Sequence, residues 1–313
     1  MKACIDIGGT KVAVSLADGT GAPPLGRRAE PTATTGDRGA LARQILRLVD
    51  EVCAEQGVPA ALVTQAGVSS CGPFIHVDGL IEITNPNICG GMAGPGRGLD
   101  NDWTSVPLEV PLRERFARLR IENDAVAALE AERIWGALQG LSHCAYVTWS
   151  TGVGAGLCVD GRILHGKNGN AGYAGHTFAS DDPLGLLCGC GNWGDVEALV
   201  AGNAVQRRFA DGGWPDAAAL MQAASAGDAA ALQVVDELCR VLGRMLYNLV
   251  VLMDLERISL GGAVFWHNRA LVLPRLQAEV SSRLPALTQG VALVPAGLAD
   301  KVGDYAALAL VHG

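Results

Sequence analysis

The stretch Lys2-Ala3-Cys4-Ile5-Asp6-Ile7-Gly8-Gly9-Thr10-Lys11-Val12-Ala13-Val14-Ser15-Leu16 decides how this chain is read. Lys2–Ile7 is mostly apolar and reads as a strand. In the returning strand, from Lys11 to Leu16, Val12, Val14 and Leu16 alternate with Ala13 and Ser15. Gly8-Gly9 makes the turn between them tight. Lacking Cβ atoms, those glycines let backbone N–H groups come close to an anion, and Thr10 and Lys11 add a hydroxyl and a point charge. Asp6, at the strand end, is placed to hold Mg2+ through water. A plain β-turn would also use two glycines. An acid, a hydroxyl and a lysine in the same hairpin favour phosphate binding.

Working outward, residues 144–149 and 154–159 form a second strand pair around Ser150-Thr151-Gly152-Val153-Gly154, also rich in N–H donors. Thr151 and Gly152 are its candidate phosphate contacts. Neither turn has the GxxxxGK[ST] spacing or a dinucleotide fingerprint. Two similar hairpins in two halves of a chain are what a duplicated α/β fold would give. A third glycine pair, Gly261-Gly262, ends a strand at 257–260 before a helix. It either opens a flat seat for a nucleotide or allows close helix–strand packing, and the pattern alone does not choose. Between the hairpins, Ile121-Glu122-Asn123-Asp124-Ala125 puts an acid between a strand at 119–122 and a helix at 125–138. Asp124 is either the N-cap of that helix or, in a phosphate-binding chain, the base that takes a proton from an attacking hydroxyl.

The remaining elements follow from periodicity. Leu41, Ile45, Leu48, Val49 and Val52 predict a helix over 40–56, and 61–68 reads as a strand. The polar stretch 21–39 and the Gly/Pro/Asn-rich stretch 84–107 read as loops, the second with a glycine-rich insertion at 89–102. A long helix is expected over 228–254, and a small-residue helix at 305–311.

Bulk properties narrow the class. A chain of 313 residues suggests two domains. The boundary is expected at 118, with a small domain at 1–118, a large one at 119–299, and the last helix (300–313) packing back on the first. A net charge of −8 offers no footprint for nucleic acid. No apolar run has the length of a membrane span, and the N-terminus does not read as a signal peptide. A cytoplasmic protein is expected. Nine scattered cysteines suit a reducing compartment, where most serve as small buried hydrophobes. Cys188 and Cys190, in a glycine-rich stretch, stand apart.

These residues, in this order, resemble the ROK family of the hexokinase–actin–Hsp70 superfamily. The resemblance spans nearly the whole chain: Asp-x-Gly-Gly-Thr-Lys, Glu-Asn-Asp-Ala, Ser-Thr-Gly-Val-Gly, a Gly-His segment, a cysteine-rich loop and Leu-Gly-Gly. It implies an α/β, two-domain actin-like ATPase (ribonuclease H-like) fold with sugar and ATP in an interdomain cleft. It implies Asp124 as catalytic base, with Asn123, Asn87, His176 and Glu197 as sugar ligands. Asp6, Gly8, Gly9, Thr10, Lys11, Thr151, Gly152, Gly261 and Gly262 would hold Mg2+ and ATP. The family's repressors carry a DNA-binding segment ahead of the first strand; here that strand starts at residue 2, so a kinase is expected. The resemblance also implies a homo-oligomer, dimer or tetramer.

Two positions depart from the family pattern. Tyr173 stands where the family has a sugar-binding glutamate before Gly-His. In the zinc loop Cys-x-Cys-Gly-x-x-Gly-Cys-x-Glu, Asp195 stands where the third cysteine belongs, leaving His176, Cys188, Cys190 and Asp195 as the implied Zn2+ ligands. Aspartate is an acceptable zinc ligand. The expected activity is phosphorylation of a hexose, most directly glucose, at its 6-hydroxyl. The alternatives are another sugar or polyol (fructose, N-acetylmannosamine, a cyclitol), or a sugar-binding regulator without turnover.

Overall fold

The computed structural model describes residues 1–92, 98–181 and 186–312. The chain forms two compact units. The first comprises Met1–Ala131, His165–Ala171 and the chain from Lys301 onward. The second comprises Glu132–Leu164 and Gly172–Asp300.

The first unit is built on β1 (Lys2–Ile7), β2 (Lys11–Ala17), β3 (Leu25–Pro31) and β4 (Gln65–Ser70), with helix α1 (Ala40–Glu55) between β3 and β4. A hairpin, β5 (Phe74–Val77) and β6 (Leu80–Ile83), pairs with the short β7 (Val106–Pro107). Helix α2 (Glu109–Arg115), β8 (Arg118–Asn123) and α3 (Asp124–Ile134) follow. The main sheet has the order β3-β2-β1-β4-β8: β1 is antiparallel to β2 and parallel to β4, and β4 is parallel to β8. Its core joins Ile5, Ile7, Val12 and Val14 to Leu41, Ile45, Leu48 and Val52 of α1. The apolar face of α1 recurs every three or four residues, as its sequence does, and Gly57 at φ +65° follows its end.

The second unit repeats the pattern with β9 (Cys144–Trp149), β10 (Val153–Val159), β11 (Arg162–Ile163), β12 (Arg257–Gly261) and β13 (Ala292–Pro295) in the order β11-β10-β9-β12-β13. Again the first pairings are antiparallel and the last two parallel. The turn between β10 and β11 has Asp160 and Gly161 both at positive φ, as a two-residue hairpin turn of right-handed strands requires. Its helices are α4 (Val196–Val200), α5 (Gly202–Phe209), α6 (Ala217–Ser225), α7 (Ala229–Met253), α8 (Ala263–Ser281) and α9 (Pro285–Thr288). Asp228 caps α7, its carboxylate accepting from Ala231 N at 2.8 Å. The last helix, α10 (Val302–Ala309), packs on β1 and β4 of the first unit. Gly67 of β4 allows that approach, since a Cβ there would lie 2.6 Å from Ala307 O.

Several elements differ from the sequence reading. The stretch 21–39 is not all loop, because β3 pairs along β2. Its exposed residues, Leu25, Arg27, Ala29 and Pro31, alternate with half-buried ones that include the charged Arg28 and Glu30, which suits a sheet edge and hides the strand from a hydrophobicity reading. The hairpin β5–β6 went unread between glycine and proline signals. The strand expected at 61–68 lies at Gln65–Ser70, behind a 3-10 turn at Ala60–Leu62. Helix α3 stops at Ile134 rather than 138, because Leu138 N turns back to Glu132 O. A boundary at 118 would divide the first sheet, since β8 pairs with β4 there. The division falls within α3, after Ala131. Part of the glycine-rich insertion, 93–97, lies outside the described residues.

Candidate functional site

In the first unit the sheet brings three strand ends side by side. β1 ends at Asp6-Ile7, β4 at Ser69-Ser70 and β8 at Glu122-Asn123, and the register pairs Asp6 with Ser69 and Ser69 with Glu122. The turn after β1 is closed by Gly8 N donating to Lys11 O at 2.8 Å. Thr32 braces it from β3, its Oγ1 donating to Gly8 O at 2.8 Å and its N to Thr10 O at 3.1 Å. Thr10 and Lys11 are exposed. Asp6 lies beneath the turn. Burial raises its carboxyl to about 7, aided by the charges of Asp124 and Asp304 and opposed by Arg27 and Lys11.

Asn123 is buried and Asp124 exposed at the first turn of α3. Both side chains accept from Ala125 N, Asn123 Oδ1 at 3.0 Å and Asp124 Oδ1 at 2.8 Å. Capping is therefore shared, so the helix does not depend on Asp124 alone. Asn87 meets the first turn from its side. A Cβ on Gly9 would lie 2.9 Å from Asn87 Nδ2, so glycine is needed there. The Asn87 backbone is set by its neighbours: its N–H donates to Asn85 Oδ1 at 2.9 Å, and Asn85 Nδ2 donates to Gly72 O at 2.6 Å. Asp6, the glycine turn, Asn87, Asn123 and Asp124 thus share one end of one sheet.

In the second unit the matching turn is Ser150–Gly152. Ser150 N donates to Gly152 O at 2.9 Å, and Ser150 O accepts from Gly202 N, at the start of α5, at 2.8 Å. Glu197 lies under this turn. Its Oε2 accepts from Val153 N at 2.9 Å, and a Cβ on Gly152 would come within 2.7 Å of that oxygen. Gly261 and Gly262 have a packing reason of their own. Added Cβ atoms would lie 2.3 Å from Tyr146 Oη and 2.5 Å from Trp149 O, and Gly262 has φ +86°.

Four ligand atoms gather beside that turn. Those of His176, Cys188, Cys190 and Asp195 all lie within 4.8 Å of one another. His176 Nδ1 is 3.2 Å from Asp195 Oδ2, Cys190 Sγ is 3.3 Å from the same oxygen, and Cys188 Sγ is 3.7 Å from Nδ1. A tetrahedral ion with ligands at 2.0–2.3 Å needs donor–donor edges of roughly 3.3–3.8 Å, and these three distances lie close to that range while the remaining ones stay within 4.8 Å. Asp195 is fully buried and does two things: Oδ1 caps α4 by accepting from Ala198 N at 2.7 Å, while Oδ2 faces the cluster. Burial pushes both thiols up. Hydrogen bonding to Asp195 pushes His176 up. Burial alone would raise Asp195, but hydrogen bonds from His176, Ala198 N and the two thiols leave it lowered. Tyr173 stacks on His176, with ring centroids 5.8 Å apart and planes at 20°.

Sequence reasoning missed the residues that hold these parts. Asn101 donates to Thr34 O and Ile88 O and accepts from Gly90 N and Trp103 N, fixing the loop that carries Asn87. Cys71, just past β4, donates its N–H to Ile7 O at 2.7 Å, and the charges of Asp124 and Asp6 reach its buried thiol. Glu132 is fully buried and satisfied by four donors. None of these has a periodic or motif signal; Asn85, in Asn-Pro-Asn, was the one with a turn signature.

Two mixed sheets of one pattern, each opening on a donor-rich hairpin turn, define the actin-like ATPase class of fold. A model of the ROK family matches residues 2–313. A glucokinase of Aeropyrum pernix is 27% identical over 98% of this chain and 95% of its own. An N-acetylmannosamine kinase of Salmonella typhi is 34% identical over 83% of this chain and 82% of its own. A crystal structure of a ROK hexokinase from Thermus thermophilus superposes with a TM-score of 0.76 at 31% identity, covering 98% of this chain and 97% of that one. The chain belongs to the ROK family.

Proposed function

We propose that this chain is an ATP-dependent sugar kinase that phosphorylates the 6-hydroxyl of a hexose, with glucose as the first substrate to test. The observation that carries the reading is the juxtaposition, at one sheet end, of an acid at a helix start (Asp124), a buried acid (Asp6) and a glycine turn closed on Lys11. Phosphoryl transfer asks for little covalent help: an aligned nucleophile, a base, and donors around the transferred group. Asp124 takes the hydroxyl proton as the sugar oxygen bonds to the γ-phosphorus. The bond from that phosphorus to the β,γ-bridging oxygen breaks, and ADP leaves with its electron pair. Asn123 and Asn87 hold neighbouring sugar hydroxyls. In the first unit the N–H groups of the 8–10 turn, with Lys11, are the donors for the phosphates, and the 150–152 turn offers the matching donors in the second unit. Asp6 would hold Mg2+, which would neutralise charge on the phosphates. In the second unit Glu197 and His176 are the candidates for sugar contact, and His176 with the cysteine loop and Asp195 would hold Zn2+ as a structural ion.

A second reading is kinase action on N-acetylmannosamine, favoured by relatives of that name at up to 34% identity. Tyr173 bears on the choice. A phenol can donate as well as accept, but it cannot give the charge-assisted bond of a carboxylate. ADP release measured over glucose, fructose, N-acetylmannosamine and a cyclitol decides. Turnover with glucose ranked first supports the proposal, N-acetylmannosamine ranked first installs the second reading, and no turnover with any of them removes the kinase reading.

A further inference from the structure

Strand β8 lies at the edge of its sheet, bonded to β4 on one side only, yet Asn123 and Asp124 emerge from its end. An edge strand end is a poor platform for a group that must be placed closely, unless side chains hold it. Glu122, one residue earlier, is so held. Its Oε1 accepts from Arg120 Nη2 at 3.3 Å, and Arg120 makes a two-pronged pair with Glu130 of α3, both bonds at 2.6 Å. Its Oε2 lies 3.1 Å from Nδ1 of His165. The Glu122 side chain is 13% exposed, so the carboxylate is largely out of water.

His165 is set for this contact by its own segment. Residues His165–Ala171 belong to the first unit although their sequence neighbours on both sides belong to the second. The segment closes on itself through Ala171 N donating to His165 O at 3.0 Å. Asn170 then fastens it to β5 twice, accepting from Phe74 N at 2.8 Å and donating to Phe74 O at 2.7 Å. The seven residues form a strap with Asn170 clamped to β5 at one end and His165 on Glu122 at the other.

We propose that His165 is a positioning residue for the acid at 124: through Glu122 it fixes edge strand β8, from whose end Asn123 and Asp124 emerge. This rests on Asp124 as the base. The His165 ring is 45% exposed, so the bond is a modest one, and its value lies in geometry. A net hydrogen bond corresponds to a factor of about two to ten, and misplacement of a base by an ångström to about a hundredfold.

The test uses the full-length protein with saturating ATP. His165→Ala is expected to lower kcat about tenfold with the KM for ATP unchanged. His165→Asn, whose amide nitrogen replaces Nδ1, is expected to restore most of it. In a Glu122→Ala background, His165→Ala should then cost nothing further. Amide hydrogen exchange over residues 119–127, read without substrate, should quicken in His165→Ala and return toward wild type in His165→Asn. Unchanged exchange there overturns the inference whether or not the protein turns over. So does an unchanged kcat, a loss that His165→Asn does not restore, or a lowered Tm with kcat intact. If wild type shows no turnover with any sugar while exchange responds as expected, the kinase reading fails and the positioning of β8 by His165 stands.

Discussion

At the scale of single residues, Asp124 carries the most. Asp124→Asn is expected to cut turnover by roughly two to four powers of ten, the usual worth of a positioned base. Its fold should survive, because Asn123 also accepts from Ala125 N and asparagine caps well. A folded Asp124→Asn protein with wild-type turnover would remove Asp124 from the chemistry. The motif made both Asn123 and Asp124 legible in the sequence, but not their sharing of the cap, which depends on side-chain rotamers. Asp6 gives a second prediction. Its carboxyl titrates near 7 when folded, against 3.8 ordinarily, so between those values the folded protein keeps a proton that the unfolded chain has released. Asp6's contribution to stability is therefore whole below about 4 and lost as pH rises through about 7. Urea midpoints of the metal- and nucleotide-free protein at pH 5 and pH 8 should differ more in wild type than in Asp6→Asn. Identical differences would mean that Asp6 is ionised throughout. No sequence pattern announces this proton. It arises from the desolvation of half-buried Asp6 at the sheet end and, next, from the charge of Asp124.

Elements were legible where burial follows a period. α1 and α7 each carry an apolar face at helical spacing, and burial follows the same residues, whereas the first hairpin was legible from its apolar run and glycine turn, β2 being buried on both faces from Val12 to Ala17. β3 was not legible, because one face of an edge strand meets water and its charges find partners on α1: Arg28 with Glu55 at 2.8 Å, and Glu30 with Arg47. The end of α3 was not legible either, since it is decided by Glu132. Glu132 Oε2 accepts from Ala137 N, Gly297 N and Ser259 Oγ, and Oε1 from Leu298 N. One carboxylate thus joins the turn after α3 to β12 and to the chain after β13. Glu132→Ala would leave four donors, that of Ser259 buried and three backbone N–H groups part-buried, without their acceptor. The expected cost is at least about 3 kcal/mol in denaturant unfolding, far above the usual surface substitution. A loss under about 1 kcal/mol would mean that water or a rearranged loop replaces the carboxylate easily.

For the molecule as a whole, the repeated strand order of the two sheets explains why two unlike glycine motifs pointed to one chemistry. Each turn follows the first strand of a hairpin at the same place in an identical topology. What the repeat did not supply is the loop unique to the second unit, which carries His176 through Glu197. A metal at the proposed site would bear on global stability. Without an ion, the loop holds a buried thiol at Cys188 and an exposed one at Cys190, both pushed up by desolvation, beside a His176–Asp195 pair at 3.2 Å. His176, Cys188, Cys190 and Asp195 would hold Zn2+ in place of those contacts, and because the thiols would have to lose their protons to bind, its affinity should fall as pH falls. Asp195 suits the ion better than its unlikeness to cysteine suggests, because its second oxygen already anchors α4 on Ala198 N. An ion that binds only the folded form raises the midpoint of unfolding by mass action. Protein purified without chelator is expected to carry about one equivalent of zinc, and stripping it should lower Tm by about 5 °C or more for a stabilisation of ~2 kcal/mol. Asp195→Ala should lose the zinc and the cap together, and Asp195→Cys should keep the zinc while losing the cap. Protein with less than about a tenth of an equivalent of zinc, or a Tm indifferent to its removal, would show that the four side chains hold one another without a metal.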